Sequence, residues 1–260
     1  MILKKWEELP NTIKNDITYK YYKILEKKKL TLLFKRFFDI IFSLILLILL
    51  FPLFLILAIC IKIDSKGPVF YRQERVTKYD KTFRIFKFRT MVQNADKIGT
   101  LVTVNNDSRI TKVGKLIRKC RLDEIPQLIN ILTGDMSFVG TRPEVRKYVE
   151  EYTDEMKATL LMAAGVTSLA SIEFKDEDDI IEKYKRKEQS VDYIYANYVL
   201  PEKMKYNLEY IEKFNIFSDI VISFKTVFSV LGLKKTKQEV IAVQNNENLT
   251  LEKEDELITK

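Results

Sequence analysis

The stretch KRFFDIIFSLILLILLFPLFLILAICIKI, residues 35–63, constrains this chain more than any other. From Phe37 to Ile63 only Asp39 and Lys62 carry charge. An apolar run of that length reads as a membrane segment. It is too long for a cleavable signal peptide, and no small-residue cleavage site follows it. Pro52 divides the run, and a proline inside a helix removes a hydrogen bond and bends the axis. At about 1.5 Å per residue the two pieces are roughly 22 Å and 16 Å long. Neither crosses a hydrocarbon core of about 30 Å alone, so together they either span it or enter and turn back. Lys27, Lys28, Lys29, Lys35 and Arg36 precede the run, and Lys62, Lys66, Arg72 and Arg75 follow it. Lys and Arg collect on the cytoplasmic side, so two basic flanks favour a re-entrant helix pair broken at Pro52. A single kinked spanning helix stays open, because spanning helices tolerate proline.

The rest of the chain must fold beside that segment. With 260 residues it has room for one or two domains. The formal net charge of +8 calls for an anionic partner: nucleic acid, anionic lipid or a phosphorylated metabolite. Histidine is absent, which removes the commonest general base, the Ser-His triads and most catalytic zinc sites. Cys60 and Cys120 read as free thiols in a reducing compartment.

Residues 1–33 are polar and basic, and are expected as an interfacial lead-in, helical over much of NTIKNDITYKYYKILEKKK. PVFYRQERV and TFRIFKFRTM alternate around a turn-like KYDK and predict a β-hairpin. Lys87 and Arg89 share a strand face there, where two cations can hold a phosphate or simply face solvent. NNDS reads as a turn. TKVGKLIRKC predicts a short basic helix with Val113, Leu116 and Ile117 inward. EIPQLINIL predicts a second helix, with Leu128, Ile129, Ile131 and Leu132 as its apolar side, Pro126 in its first turn and Gly134 at its end. PEVRKYVEEYTDEMKATLLMA predicts another. An amphipathic stretch at 216–232 fits a membrane surface or the core, and the polar tail from Lys235 is predicted disordered. The expected fold is an α-rich α/β: lead-in 1–33, re-entrant segment 34–63, globular catalytic domain 64–234 with a β-hairpin and several partly interfacial helices, and polar tail 235–260.

RLDEIPQLINIL, residues 121–132, places Asp123 and Glu124 side by side at a helix start. Acids in a first turn complement the helix dipole, a cap worth about 0.3–1 kcal/mol. The surroundings open a second reading. Arg109, Lys112, Lys115, Arg118, Lys119 and Arg121 crowd the preceding segment, Lys87 and Arg89 come earlier, and Arg142 follows. Cations favour an ionised carboxylate, and an ionised aspartate is a usable nucleophile for phosphoryl transfer. Its neighbour can bind Mg²⁺, which takes one or two carboxylates plus phosphate oxygens. Arginines suit a diphosphate through bidentate contacts. No GxxxxGK[ST] stretch is present, which argues against a P-loop enzyme.

At these residues the chain resembles the bacterial sugar transferases, the monotopic phosphoglycosyl transferases of the polyprenyl-phosphate glycosyl-1-phosphate transferase superfamily. GPVFYRQERV, FRIFKFRTM, DSRITKVGKLIRK, RLDEIPQLINIL and GDMSFVGTRPE follow the apolar run in the family's order, over about residues 33–232. The joint occurrence of LDEIPQL and GDMSFVGTRPE is highly specific. The resemblance implies a membrane enzyme of the cytoplasmic face of the bacterial inner membrane. It implies a ping-pong reaction in which Asp123 attacks a UDP-sugar, UMP leaves, and polyprenyl (undecaprenyl) phosphate takes the phosphosugar. Glu124, with Asp123, is then expected to hold Mg²⁺, and Lys87 and Arg142 to lie at the site. Arg89, Arg109, Arg118 and Arg121 are added as phosphate contacts. Expected partners are UDP-sugar, polyprenyl phosphate, inner-membrane lipid and a second copy in a homodimer, with no nucleic acid. One departure stands out: MAAGVTSLASIEF keeps Gly165 and Thr167 of a KPGITG-like stretch but not its lysine, proline and following tryptophan. The sugar it selects is therefore open.

A non-enzymatic adaptor whose basic patch binds anionic lipid is the alternative; a tethered nucleic-acid binder lacks a recognisable motif. The topology has its own test. With Cys60 and Cys120 replaced by serine, single cysteines from Leu30→Cys and Pro68→Cys should label from the same membrane face. Labelling from opposite faces would establish a spanning helix.

Overall fold

The computed structural model describes residues 3–95, 107–173 and 190–230. The polar tail, the first half of NNDS and the charged stretch at 174–189 lie outside the described residues. Asn15 accepts from the Thr18 N–H at 2.7 Å and caps α1, Asp16–Lys27. Thr18, Tyr21, Tyr22 and Leu25 repeat at helical spacing and are buried together with Leu3, Leu9 and Ile13. They join the main core with Leu161, Val199, Ile211 and Phe214. The segment has an apolar stripe, and the globular domain covers it.

The apolar run forms α2, Lys29–Leu49, and α3, Phe51–Asp64. Their axes bend by 61°. The break falls at Leu50, and Pro52 sits in the first turn of α3, where its missing N–H costs no helical bond. Among the described residues no single helix is long and apolar enough to cross a membrane, whereas this bent pair passes the same test jointly. Phe37, Phe42, Ile48, Phe51 and Ile59 are exposed on it. Apolar surface of that extent marks an interaction or membrane face.

Polar ties fasten this pair to the rest. Asp39, buried inside the apolar run, accepts from the Ser137 hydroxyl at 2.8 Å and the Phe138 N–H at 3.1 Å. Lys35 pairs with Asp219 at 2.5 Å. Arg36 donates to the Ile131 and Leu132 carbonyls. Each of these three charged groups has a partner, as burial demands.

The predicted hairpin forms from β1, Phe70–Val76, and β2, Thr82–Phe88, antiparallel with Gln73 opposite Ile85. Tyr79 and Asp80 turn the chain with φ of 59° and 61°. Helix α4, Lys112–Lys119, follows a Thr111 cap. It buries Ile117 beside Leu57, Ile61 and Phe88 but leaves Leu116 64% exposed, against expectation. The helix lies close enough that a Cβ on Gly114 would meet the Thr90 carbonyl oxygen at 2.1 Å, and that approach fixes which face turns inward.

Helix α5, Gln127–Thr133, ends at Gly134 with φ 89°. Ile131 and Leu128 are its buried apolar residues, whereas Ile129 and Leu132 are only half-buried. Asn130 is buried as well, accepting from Phe86 N–H at 2.8 Å and donating to Arg84 O at 3.1 Å. It fixes α5 to β2. Strand β3, Met136–Val139, pairs in parallel with β4, Ala164–Thr167, a second small sheet that alternation did not reveal. Between them the expected long helix is absent. Only α6, Arg146–Val149, and a 3₁₀ turn, Met156–Leu161, form. Residues 158–165 are buried in succession, a pattern that leaves no solvent face for a surface helix. Then come α7, Leu169–Glu173, and α8, Val191–Ile194, which continues through a π-helical turn into α9, Leu200–Lys213. The amphipathic segment is α10, Ile216–Val230. It buries Ile222 and exposes Phe217, Ile220, Phe224 and Phe228. Among the described residues the architecture is α-rich with two two-stranded sheets.

Asp39→Ala should lower stability by about 2 kcal/mol, because it strands the Ser137 and Phe138 donors in a buried setting. Thermal unfolding in lipid nanodiscs measures this, and Asp39→Asn should lose less.

Candidate active site

A cleft of about 1270 Å³ opens between the hairpin, α4, the turn before α5, the segment after β3 and α9. Strand β2 brings Lys87 to it. The acid pair arrives on a 3₁₀ turn, Leu122–Glu124, immediately after Arg121 takes a left-handed conformation with φ 55°. A left-handed non-glycine residue costs roughly 1–2 kcal/mol. Here it ends α4 and reverses the chain, so that Leu122 packs against the α3–α4 core while the two acids line the cleft.

The two acids are not equivalent. Asp123 is 8% exposed, and its buried Oδ1 takes no hydrogen bond from the described residues. Burial pushes its carboxyl above the usual aspartate value; Lys87 pulls it down, and the Glu124 charge raises it further. Glu124 holds Lys87 in a 3.1 Å ion pair. Burial also acts to raise the Glu124 carboxyl, but Lys87, Arg142 and Arg121 together outweigh it and hold it down at about 2. The surrounding cations act on both acids, but they outweigh desolvation only at Glu124, while desolvation is the larger influence at Asp123.

The structure brings Lys87, Arg118, Arg121, Asp123, Glu124 and Arg142 to one cleft. Arg118 and Arg121 lower the Asp123 carboxyl, and Arg142 donates to the Ser171 hydroxyl at 3.3 Å. Arg89 and Arg109, the other two expected phosphate contacts, line the same cleft and also make hydrogen bonds within the fold. Arg89 is buried and donates to the Ser65 carbonyl at 2.6 Å and the Lys66 carbonyl at 3.0 Å, closing the C-terminal end of α3. Arg109 clamps Asp107, at 2.6 Å from one amine, and donates to the Ala95 carbonyl. Sequence reasoning missed Arg75, Glu144, Tyr195 and Lys203, which line the same cleft. Glu144 had a signal, since it ends the GTRPE stretch beside Arg142; Tyr195 and Lys203 had none.

Among the described residues no group of three or more His, Cys, Asp or Glu side chains clusters as a metal site. Two carboxylates, one with an unbonded buried oxygen, nevertheless fit Mg²⁺, which completes its shell with water and substrate phosphate oxygens.

Split carboxylates under several cations, in an open cleft beside an apolar helix pair, make a site suited to phosphate esters. The chain belongs to the bacterial sugar transferase family, whose signature matches residues 30–233. It is 36% identical over 203 residues to a UDP-N-acetylgalactosamine-undecaprenyl-phosphate N-acetylgalactosaminephosphotransferase of Aeromonas hydrophila, covering 76% of this chain and 43% of the relative. It is 36% identical over 201 residues to the UDP-glucose:undecaprenyl-phosphate glucose-1-phosphate transferase of Escherichia coli K12, covering 75% and 40%. To the exopolysaccharide production protein ExoY of Sinorhizobium fredii it is 32% identical over 211 residues, covering 75% and 84%. The chain thus matches about two fifths of the first two relatives' length and most of the third's.

Lys87 lowers the Asp123 carboxyl, so its removal should raise it further. Any step that needs ionised Asp123 is lost as pH falls through that value. In Lys87→Met the acid limb of the pH–rate profile should therefore move to higher pH. An unmoved limb would show that Asp123 ionisation does not govern the rate.

Proposed function

We propose that the chain is a membrane-bound phosphoglycosyl transferase. It moves a sugar-1-phosphate from a UDP-sugar to polyprenyl phosphate, with undecaprenyl phosphate as the expected acceptor, at the cytoplasmic face of the bacterial inner membrane. This is a first membrane step of surface-glycan synthesis. The observation that carries it is Asp123: a buried carboxylate with an unbonded oxygen, among cations that suit phosphate, in a chain of this family. The names of the relatives, which pair undecaprenyl phosphate with UDP-glucose or UDP-N-acetylgalactosamine, support the substrate classes.

In this scheme an Asp123 oxygen attacks the β-phosphorus of the UDP-sugar. A bond from that phosphorus to the bridging oxygen breaks, and UMP leaves with the oxygen and its electron pair. The sugar phosphate is now an acyl phosphate on Asp123. An oxygen of polyprenyl phosphate attacks the same phosphorus, the aspartyl bond breaks, and Asp123 returns as a carboxylate beside the polyprenyl-diphosphate-sugar. Burial serves the nucleophile by stripping it of water, and Lys87 limits how far that burial favours its protonated form. Arg118, Arg121 and Arg142 bind and orient the diphosphate. Glu124, already ionised, would hold Mg²⁺ with Asp123, and the ion supplies charge neutralisation when bound. The bent helix pair sets this chemistry at the level where a lipid-borne phosphate meets a soluble nucleotide-sugar.

UMP release from a panel of UDP-sugars, in membranes containing polyprenyl phosphate, tests the reading. Wild type should release UMP, and Asp123→Asn should lose at least about a thousandfold of that rate. Full activity in Asp123→Asn would remove the assigned nucleophile, and no UMP release by wild type would favour an adaptor role for the basic surface.

A further inference from the structure

A second polar group lines the same cleft beyond Arg142. Lys203 donates to the Tyr195 hydroxyl at 3.0 Å, and that hydroxyl donates to Glu144 Oε1 at 2.7 Å. Arg75 lies 3.8 Å from Glu144 Oε2 and donates to the Gln73 side chain at 2.8 Å. Glu144, Tyr195 and Lys203 are 4%, 3% and 2% exposed, yet all four residues line the cavity that holds Asp123. Burying such a set does little for stability, since replacing buried ion pairs with apolar residues is often neutral or stabilising.

Position and chemistry both suggest a use. Glu144 is two residues from Arg142, so their Cα atoms are within about 7 Å. A hydroxylated ring attached to a phosphate at Arg142 would therefore reach this wall. The hydrogen-bond directions there are fixed from Lys203 through Tyr195 to Glu144. The carboxylate keeps lone pairs beyond those used by Tyr195 and Arg75, and the Arg75 guanidinium brings five N–H donors. Fixed donors and acceptors reject a ring whose hydroxyl is missing or inverted far more strongly than an apolar pocket does, because the site's own buried groups are then left unpaired.

We propose that Arg75, Glu144, Tyr195 and Lys203 form the subsite that reads the hydroxyl pattern of the transferred sugar. The proposal rests on the phosphoglycosyl transferase reading and adds to it the residues that choose the substrate. Tyr195 is the sharpest probe. Phenylalanine keeps its ring on Tyr148, at 4.5 Å between centroids, and removes only the hydroxyl that links Lys203 to Glu144.

The experiment measures kcat/KM for UMP release by the full chain in nanodiscs with polyprenyl phosphate. Substrates are UDP-glucose, UDP-galactose and their N-acetylamino counterparts, tested with wild type, Tyr195→Phe and Lys203→Gln. Inhibition by UMP is measured alongside. The expected result is a change of at least about tenfold in the ratio between C4 epimers, or between the C2 hydroxyl and acetamido sugars. UMP inhibition should move by less than about twofold. Equal loss on every sugar would overturn the proposal and leave these residues as supports for the Arg142 segment. Weakened UMP inhibition would overturn it too, placing the nucleotide's ribose at this wall. Should Lys203→Gln fail to fold, Tyr195→Phe decides alone. A wild type that releases UMP from none of the four sugars would instead sink the transferase reading itself.

Discussion

A single carboxylate inside an apolar helix organises much of this molecule. Asp39 would be ruinous in a free membrane segment, but here it accepts from Ser137 and Phe138 and binds α2 to β3. Lys35 and Arg36, one helical turn before it, reach Asp219 on α10 and the carbonyl end of α5. At the other end of the bent pair Arg89 closes α3. The bent apolar pair is therefore held by charge at both ends. The elements it grips, α5 and β3, follow and flank the turn that carries the acids. Moving the helix pair would move the cleft.

Within that cleft one environment produces two kinds of carboxylate. Adjacent residues on one 3₁₀ turn share their cations, yet Glu124 is held low and Asp123 is pushed high. The difference lies in who takes the cations. Glu124 has Lys87 in a direct ion pair, whereas the buried Oδ1 of Asp123 has no donor among the described residues. A group shielded from water and short of hydrogen bonds is a stronger nucleophile once ionised. A neighbour locked in its charged form is a steady ligand for a cation or an anchor for Lys87. Neither acid caps the Gln127–Thr133 helix through a side-chain hydrogen bond, and the pair divides instead by environment.

Much of this was legible beforehand, and the exceptions share a cause. The break in the apolar run, the hairpin, the basic helix at Lys112–Lys119, the stop at Gly134 and the placement of the acids at a helix start all follow from local pattern. What pattern did not give is long-range. Leu116 points outward because Gly114 must approach Thr90. Asn130 is buried because β2 offers it an N–H and a carbonyl. Arg89, read as a phosphate contact from its spacing to Lys87, is occupied by a helix end 24 residues earlier. Tyr195 and Lys203 reach the cleft through a fold that brings α9 beside β3, and no spacing between them and Asp123 advertises it. The acids and the cations around Asp123 stood in motifs, but the far wall of the cleft did not.

The central claim is that Asp123 carries the transferred group. Intact-mass spectrometry of the protein after exposure to a UDP-sugar without polyprenyl phosphate tests it most directly. The account predicts a mass increase equal to one phosphosugar, mapped by proteolysis to the peptide containing Asp123 and discharged when polyprenyl phosphate is added. UMP release on adding the lipid with no covalent adduct at any time, or an adduct mapped to another residue, would contradict it.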